Sequence, residues 1–305
     1  MEQIIDNVHI DFDKDSLWPL NIALALVMFG VALEIKLSDF KKLARKPKLV
    51  LTGVFSQFVL LPAITLGLVW SLKPVASIAL GMFMVAACPG GNISNFITHL
   101  AKGNSALSVT LTAIATLLAI VMTPLNLQFW GSLYPPSAQI LKEVSIASLE
   151  MIKLVALLLG IPLLIGMMVN HIRPKLAKRM TKVFKVGSLV FFVILVFLAL
   201  YKNIDIFLEY IFYVFWLVLL HNLVAFLTGF SLAIAMGLSK ENVRSITIET
   251  GIQNSGLGLL LIFTFFDGLG GMALLTAFWG IWHLISGLLL GGFWGYRSIE
   301  KKKLV

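Results

Sequence analysis

Nine apolar runs constrain this chain more than any other feature. They lie at residues 17–35, 48–71, 75–100, 103–130, 146–170, 182–201, 207–237, 240–266 and 270–296. A helix needs about 20 apolar residues to cross the hydrocarbon core of a bilayer. Backbone polar groups in lipid find no water, so each run satisfies its own as a helix. The expected fold class is therefore an all-α polytopic membrane protein with nine transmembrane helices. Charged residues make up 13% of the 305 positions, about half the share of a soluble domain, which leaves no room for one. Cys88 stands alone and excludes an internal disulfide. Residues 1–16 are acidic (Glu2, Asp6, Asp11, Asp13, Asp15), with no basic n-region or small-residue cleavage site. They are expected as an extracytoplasmic tail rather than a secretory signal.

The net charge of +9 could point to nucleic acid, but the positions of the basic residues point elsewhere. With the N-terminus outside, the segments at 36–48, 102, 173–185, 240–244 and 297–303 fall inside and hold 19 Lys and Arg, against 4 outside. Nine spans with this bias satisfy the positive-inside rule, with the C-terminus cytoplasmic. The basic loops thus read as topology signals in contact with anionic lipid, and no nucleic-acid partner is expected.

One carboxylate interrupts this apolar pattern. Glu249 opens ETGIQNSG (249–256) inside the run Val243 to Phe266. A carboxylate at membrane depth costs about 2.5–3.5 kcal/mol on insertion scales and usually marks an ion or proton site. Gly251 and Gly256 loosen the helix, and Gln253, Asn254 and Ser255 add neutral oxygens. Such a set suits a hard cation such as Na⁺ better than a soft metal, which favours Cys or His. The competing reading pairs Glu249 with a Lys or Arg of the bundle, yet none lies in the middle of another expected helix.

A second interruption is CPGGNISN (88–95), where Pro89, Gly90 and Gly91 should break the third helix near its middle. Breaks at membrane depth survive where they are buried or line a wet cavity. Two of them, on helices running in opposite directions, point to an inverted-repeat transporter with its site at the midplane. Ser94 and Asn95 close this motif, Ser108 and Thr112 share a face of the fourth helix, and Gln57 lies on the second helix near Pro62. Taken singly, the hydroxyls read as bonds to their own helix backbone. His221, Asn222 and His283 read as packed, neutral interhelical hydrogen-bonders, and Cys88 as a small residue at a tight crossing.

The stretches MFGVALEIKLSDF (28–40), SQFVLLPA (56–63), ACPGGNISNFITHLAKGNSALSV (87–109) and TIETGIQNSGL (247–257) resemble the bile acid:sodium symporter family, as a bacterial member would. The resemblance runs from about residue 17 to the end. It implies a core domain of two inverted sets carrying crossed, discontinuous helices, here those near 48–71, 75–100, 103–130, 207–237, 240–266 and 270–296. It also implies a panel domain, here the helices near 17–35, 146–170 and 182–201, so that residues 17–300 form one transporter unit. Two sodium ions are implied. One would be held by Ser94, Asn95, Ser108, Thr112 and Glu249. The other would be held by Gln57, Glu249 and Gln253, with the backbone carbonyls of Thr250 and Ile252. Substrate would lie near Asn92, Asn254 and His283.

Two departures concern the substrate wall. Position 92 is Asn where bacterial relatives often carry Thr, and His283 is followed by Leu284 where a His-Asn pair is common. They alter the substrate wall, so the expected cargo is an organic anion, either bile-acid-like or a smaller carboxylate of pantoate or keto-acid type. The leading expectation is sodium-coupled symport of an organic anion by alternating access across the cell inner (plasma) membrane, with no obligate protein partner. The alternative is a metalloid or proton-coupled efflux carrier of the same superfamily, for which Cys88 would matter. An intramembrane enzyme is not expected: the chain has no HExxH, no GxSxG and no pair of intramembrane carboxylates.

Overall fold

The computed structural model describes residues 6, 17–35, 46–144, 148–181, 183, 184, 187, 190, 194 and 204–303. The regular elements among them are helical. In chain order they are α1 (Leu17–Ala32), α2 (Pro47–Leu72), α3 (Ala76–Ala87), α4 (Ile93–Leu100), α5 (Ser105–Ser132) and α6 (Pro135–Val144). Next comes α7, made of Ser148–Val155, the π turn Ala156–Gly160 and Ile161–Ile172. The last four are α8 (Ile204–Ala235), α9 (Lys240–Gly251), α10 (Ser255–Phe265) and α11 (Gly270–Lys303). Among the described residues, five stretches are long and apolar enough to cross a membrane: Pro47–Leu72, Ser105–Ser132, Leu149–Ile172, Tyr210–Ala235 and Gly270–Ser298. The protein is thus an α-helical, multi-pass membrane protein. The runs at 75–100 and 240–266 are each two shorter helices, as their Pro-Gly-Gly and Gly-rich sequences predict. The expected helix at 182–201 lies largely outside the described residues.

The helix α8 shows how the chain distributes its polarity. Phe212, Trp216, Leu223 and Leu227 are exposed on its outer face. His221 and Asn222 are buried with Val214, Val218 and Ala225 on the inner one. This is the inverse of a soluble amphipathic helix: the apolar side faces outward and the polar groups meet other helices.

Helices α2 and α7 share a local device. A π turn at Ser56–Leu60 precedes Pro62, and another at Ala156–Gly160 precedes Pro162. A helix-interior proline has no N–H and crowds the carbonyl four residues back, and a widened turn relieves that crowding. The carbonyl opposite Pro62 belongs to Phe58, and it accepts instead from Asn126 Nδ2 on α5 at 3.0 Å.

Around the two broken helices, α3 packs on α2, α5 and α11, whereas α9 packs on α8, α5 and α4. The C-terminal half of α11 rides closely on α4. A Cβ at Gly291 would stand 3.1 Å from the carbonyl oxygen of Ile97, and at Gly295 it would meet that of Leu100. Helix α1 lies against α7 and α10, and Asn170 of α7 donates to the carbonyl of Ile35 just beyond its end at 2.9 Å. The short helix α6 was not foreseen in the segment between α5 and α7.

Candidate functional site

The site begins with backbone. Helix α3 stops at Ala87 because Pro89 cannot donate and the two glycines that follow do not hold a helix. Helix α9 stops at Gly251, and Ile252 turns extended (φ −110, ψ 108). The two interrupted segments then pair with each other. Gly90 and Gln253 form an antiparallel bridge. Gly91 N donates to Ile252 O at 2.7 Å, and Asn254 N to Pro89 O at 2.9 Å. Other freed carbonyls accept from side chains: Ala87 O from Thr123 (2.7 Å), Cys88 O from Gln57 (2.8 Å) and Gly251 O from Asn222 (2.8 Å). The glycines are needed for this approach. A Cβ at Gly90 would collide with Glu249 Oε1, and one at Gly91 would lie 2.8 Å from Gln253 O.

Beside this crossing, Glu249 is buried with 4% of its surface exposed. Its Oε1 accepts from Thr112 Oγ1 at 2.7 Å. Its Oε2 accepts from Ser94 Oγ at 2.7 Å and from Ser108 Oγ at 3.2 Å. Asn95 Oδ1 faces the hydroxyls of Ser108 (2.9 Å) and Thr112 (3.3 Å). The five residues of the first expected ligand set, carried on α4, α5 and α9, therefore converge. Every donor is neutral, and hydroxyl bonds to a carboxylate are worth about 1.5–3 kcal/mol each. The arrangement leaves one negative charge surrounded by neutral oxygens, which is the chemistry of a hard monovalent cation.

The second expected set also assembles, in a different way. Gln57, on the π turn of α2, donates through Nε2 to Gln253 Oε1 and to Cys88 O, both at 2.8 Å. Gln253 Nε2 donates to Thr250 O at 2.6 Å and to Gln57 Oε1 at 3.3 Å. The carbonyl of Ile252 is taken by Gly91. Glu249 belongs to the first set only by hydrogen bonding: among the described residues its partners are Ser94, Ser108 and Thr112.

The three expected substrate residues stand at the edge of the crossing. Asn92 is the N-cap position of α4 and Asn254 that of α10. Asn254 caps its own helix through Leu257 N at 3.1 Å, whereas the buried Asn92 Oδ1 has no hydrogen-bond partner among the described residues. His283 Nδ1 lies 3.5 Å from Ser255 Oγ, next to Asn254.

Sequence reasoning missed several residues. Ser56 pairs its hydroxyl with Thr250 Oγ1 at 2.9 Å, beside the Gln57–Gln253 pair; its place before Gln57 in the SQFVLLPA motif was the available signal. Thr123 and Asn126, which cap freed carbonyls, gave no sequence signal. Asn222, expected as a hydrogen-bonder, finds its target in Gly251 O and also accepts from Ser286 Oγ at 2.6 Å. His221 Nε2 meets Thr65 Oγ1 at 2.8 Å, in keeping with a packed, hydrogen-bonded imidazole.

Comparison with known proteins completes the picture. Residues 21–210 match the sodium bile acid symporter family model. The chain is 36% identical over 284 residues, 93% of its length and 85% of the relative's, to the uncharacterized sodium-dependent transporter YocS of Bacillus subtilis. It is 31% identical to the human sodium-dependent organic anion transporter, over 92% of this chain and 74% of that one. It is 30% identical to the rabbit (Oryctolagus cuniculus) ileal sodium/bile acid cotransporter, over 78% of this chain and 67% of that one. The chain therefore belongs to the sodium bile acid symporter family and is a membrane transporter, not an enzyme.

Proposed function

We propose that this protein is a sodium-coupled symporter of an organic anion, working by alternating access in the cell inner membrane. The observation that carries the reading is the buried Glu249 carboxylate among neutral oxygens at the crossing of two broken helices. The names of the relatives support the sodium dependence and the organic anion. Nine spans with the N-terminus outside follow from the basic residues. The core is assigned to α2–α5 and α8–α11, and the panel to α1, α7 and the segment 182–201.

In this reading a first Na⁺ sits among Ser94, Asn95, Ser108, Thr112 and Glu249 and neutralises the carboxylate. A second takes oxygens from Gln57, Glu249, Gln253, Thr250 and Ile252, so the Glu249 carboxylate is shared by both ions. Binding there requires the two glutamines to turn their oxygens inward and give up the amide bonds they make to each other. Two cations close to one carboxylate repel, and the shared Glu249 charge offsets much of that cost. The ions order the crossing, and the crossing presents the N-terminal ends of α4 and α10 to the cargo. Those ends carry partial positive charge and suit a carboxylate. The Oδ1 of Asn92, buried with no partner among the described residues, and the ring of His283 add polar contacts. Leu284 in place of an amide favours a small carboxylate of pantoate type over a bile acid.

The test is uptake of radiolabelled anions, pantoate and taurocholate among them, into proteoliposomes under an imposed Na⁺ gradient. Uptake that requires Na⁺, and that favours the smaller anion, is the expected result. Transport that is equal with Na⁺ and with choline contradicts the coupling, and taurocholate uptake at low concentration contradicts the size preference.

A further inference from the structure

Helices α5 and α9 meet a second time, one turn before the Glu249 contacts, in a polar joint for which the sodium reading has no use. Asn104 is the N-cap of α5, its Oδ1 accepting from Leu107 N at 3.1 Å. Its backbone N donates to Ser245 Oγ at 2.8 Å and to Glu241 O at 3.1 Å. Its Nδ2 donates to Asn242 Oδ1 at 2.9 Å. The fully buried Ser245 hydroxyl lies 3.1 Å from Asn104 O in return. Asn104 O also accepts from Ser108 N at 3.1 Å, so the residue that presents Ser108 to Glu249 is held by α9 itself. A second tie holds the same turn: Arg244 Nη1 donates to Ala101 O and to Ser298 Oγ, each at 2.7 Å, with the guanidinium 5.9 Å from the Trp294 ring centre.

The spacing gives this joint a consequence. Residues 104, 108 and 112 on one helix and 245 and 249 on the other advance in steps of four, so each series keeps one face. The Asn104–Ser245 contact is a rung, and the Ser108–Glu249 contact is the next rung along the same two helices. A slip of one residue between them would move the hydroxyls about 1.5 Å along the axis and turn them away. A hydrogen bond tolerates only a few tenths of an ångström.

We propose that Asn104 and Ser245 are positioning residues that hold α5 and α9 in register for the first sodium site. They touch no ion. They fix the distance between the hydroxyls of Ser108 and Thr112 and the carboxylate of Glu249, and they make the α4–α5 turn and α9 travel as one body. This inference rests on the sodium reading for its ion, but not for its mechanics.

Two measurements on the purified full chain test it. The first is saturable binding of ²²Na⁺. Ser245→Ala should raise the half-saturating concentration about three- to tenfold, as the loss of one interhelical hydrogen bond implies, with the maximal amount bound unchanged. Ser245→Thr, which keeps the hydroxyl, should stay within about twofold, the spread of a surviving hydrogen bond. The second is the distance distribution between spin labels at positions 99 and 240. It should be narrow in the parent protein and broader in Ser245→Ala. Sodium binding by Ser245→Ala that matches the parent, or an equal loss in Ser245→Thr, overturns the positioning role. A parent protein without saturable sodium binding overturns the sodium reading instead. The label distances then judge the joint alone, and an unchanged distribution in Ser245→Ala overturns it.

Discussion

The two polar clusters beside the crossing flank the end of α9, one on its last turn at Glu249 and one in the break at Gln253, yet they solve different problems. The cluster at Glu249 holds a charge and offers it only neutral hydroxyl donors. The cluster at Gln57 and Gln253 holds no charge, and its amides satisfy each other and the carbonyls of Cys88 and Thr250. A buried carboxylate without a countercharge remains costly even when fully hydrogen-bonded. A closed pair of amides does not. The first cluster therefore carries an electrostatic cost that the second, whose amides satisfy one another, does not. In the proposed reading, the Glu249 set is where a cation binds, and the glutamine pair is where binding changes conformation.

Mutations can break this contrast in graded steps. Glu249→Gln keeps the shape, removes the charge and turns one oxygen into a donor facing hydroxyls. Sodium-driven accumulation should fall by a factor of about 100 or more, since a charged set is lost rather than a single bond. The check is uptake under a Na⁺ gradient, and a variant that accumulates like the parent would dissolve the contrast. Thr112→Val removes one hydroxyl at 2.7 Å from Oε1 without changing volume. Its half-saturating Na⁺ should rise about tenfold, the value of one bond to a charged acceptor. Gln57→Leu leaves Gln253 without its partner but leaves the Glu249 set untouched. A several-fold weakening with part of the sodium binding retained is expected, and total loss would show that the clusters are one site. Asn222→Leu frees the carbonyl of Gly251 and leaves both clusters chemically intact. Stability should drop about 1–3 kcal/mol, the cost of one buried unpaired carbonyl. Thermal unfolding of the purified protein measures that drop, and sodium affinity in the surviving fold should stay near that of the parent.

The sequence made some of these features legible and hid others for physical reasons. Glu249 stood out because charge is rare at membrane depth. Ser108 and Thr112 could be placed on one face because helical spacing is fixed. The breaks at Pro89 and Gly251 followed from residues that cannot continue a helix. The bridge between Gly90 and Gln253 could not be read, because it joins segments more than 150 positions apart and depends on how two helices cross. The same holds for Thr123, Asn126 and Asn222. A side chain that caps a carbonyl on another helix carries no local pattern; only the rotation of both helices decides its partner. The π turn at Ser56–Leu60 was half visible, since Pro62 announces a bend but not a widened turn. Helix α6 escaped because it is only ten residues long, carries the polar Ser137, Gln139, Lys142 and Glu143, and begins with Pro135 and Pro136.

The central claim is that the Glu249 carboxylate holds sodium. Equilibrium binding of ²²Na⁺ to purified parent, Glu249→Gln and Gln57→Leu proteins tests it most directly. The account predicts saturable binding in the parent, a weaker but measurable isotherm in Gln57→Leu, and none in Glu249→Gln. Saturable binding of equal strength in the parent and in Glu249→Gln would contradict it.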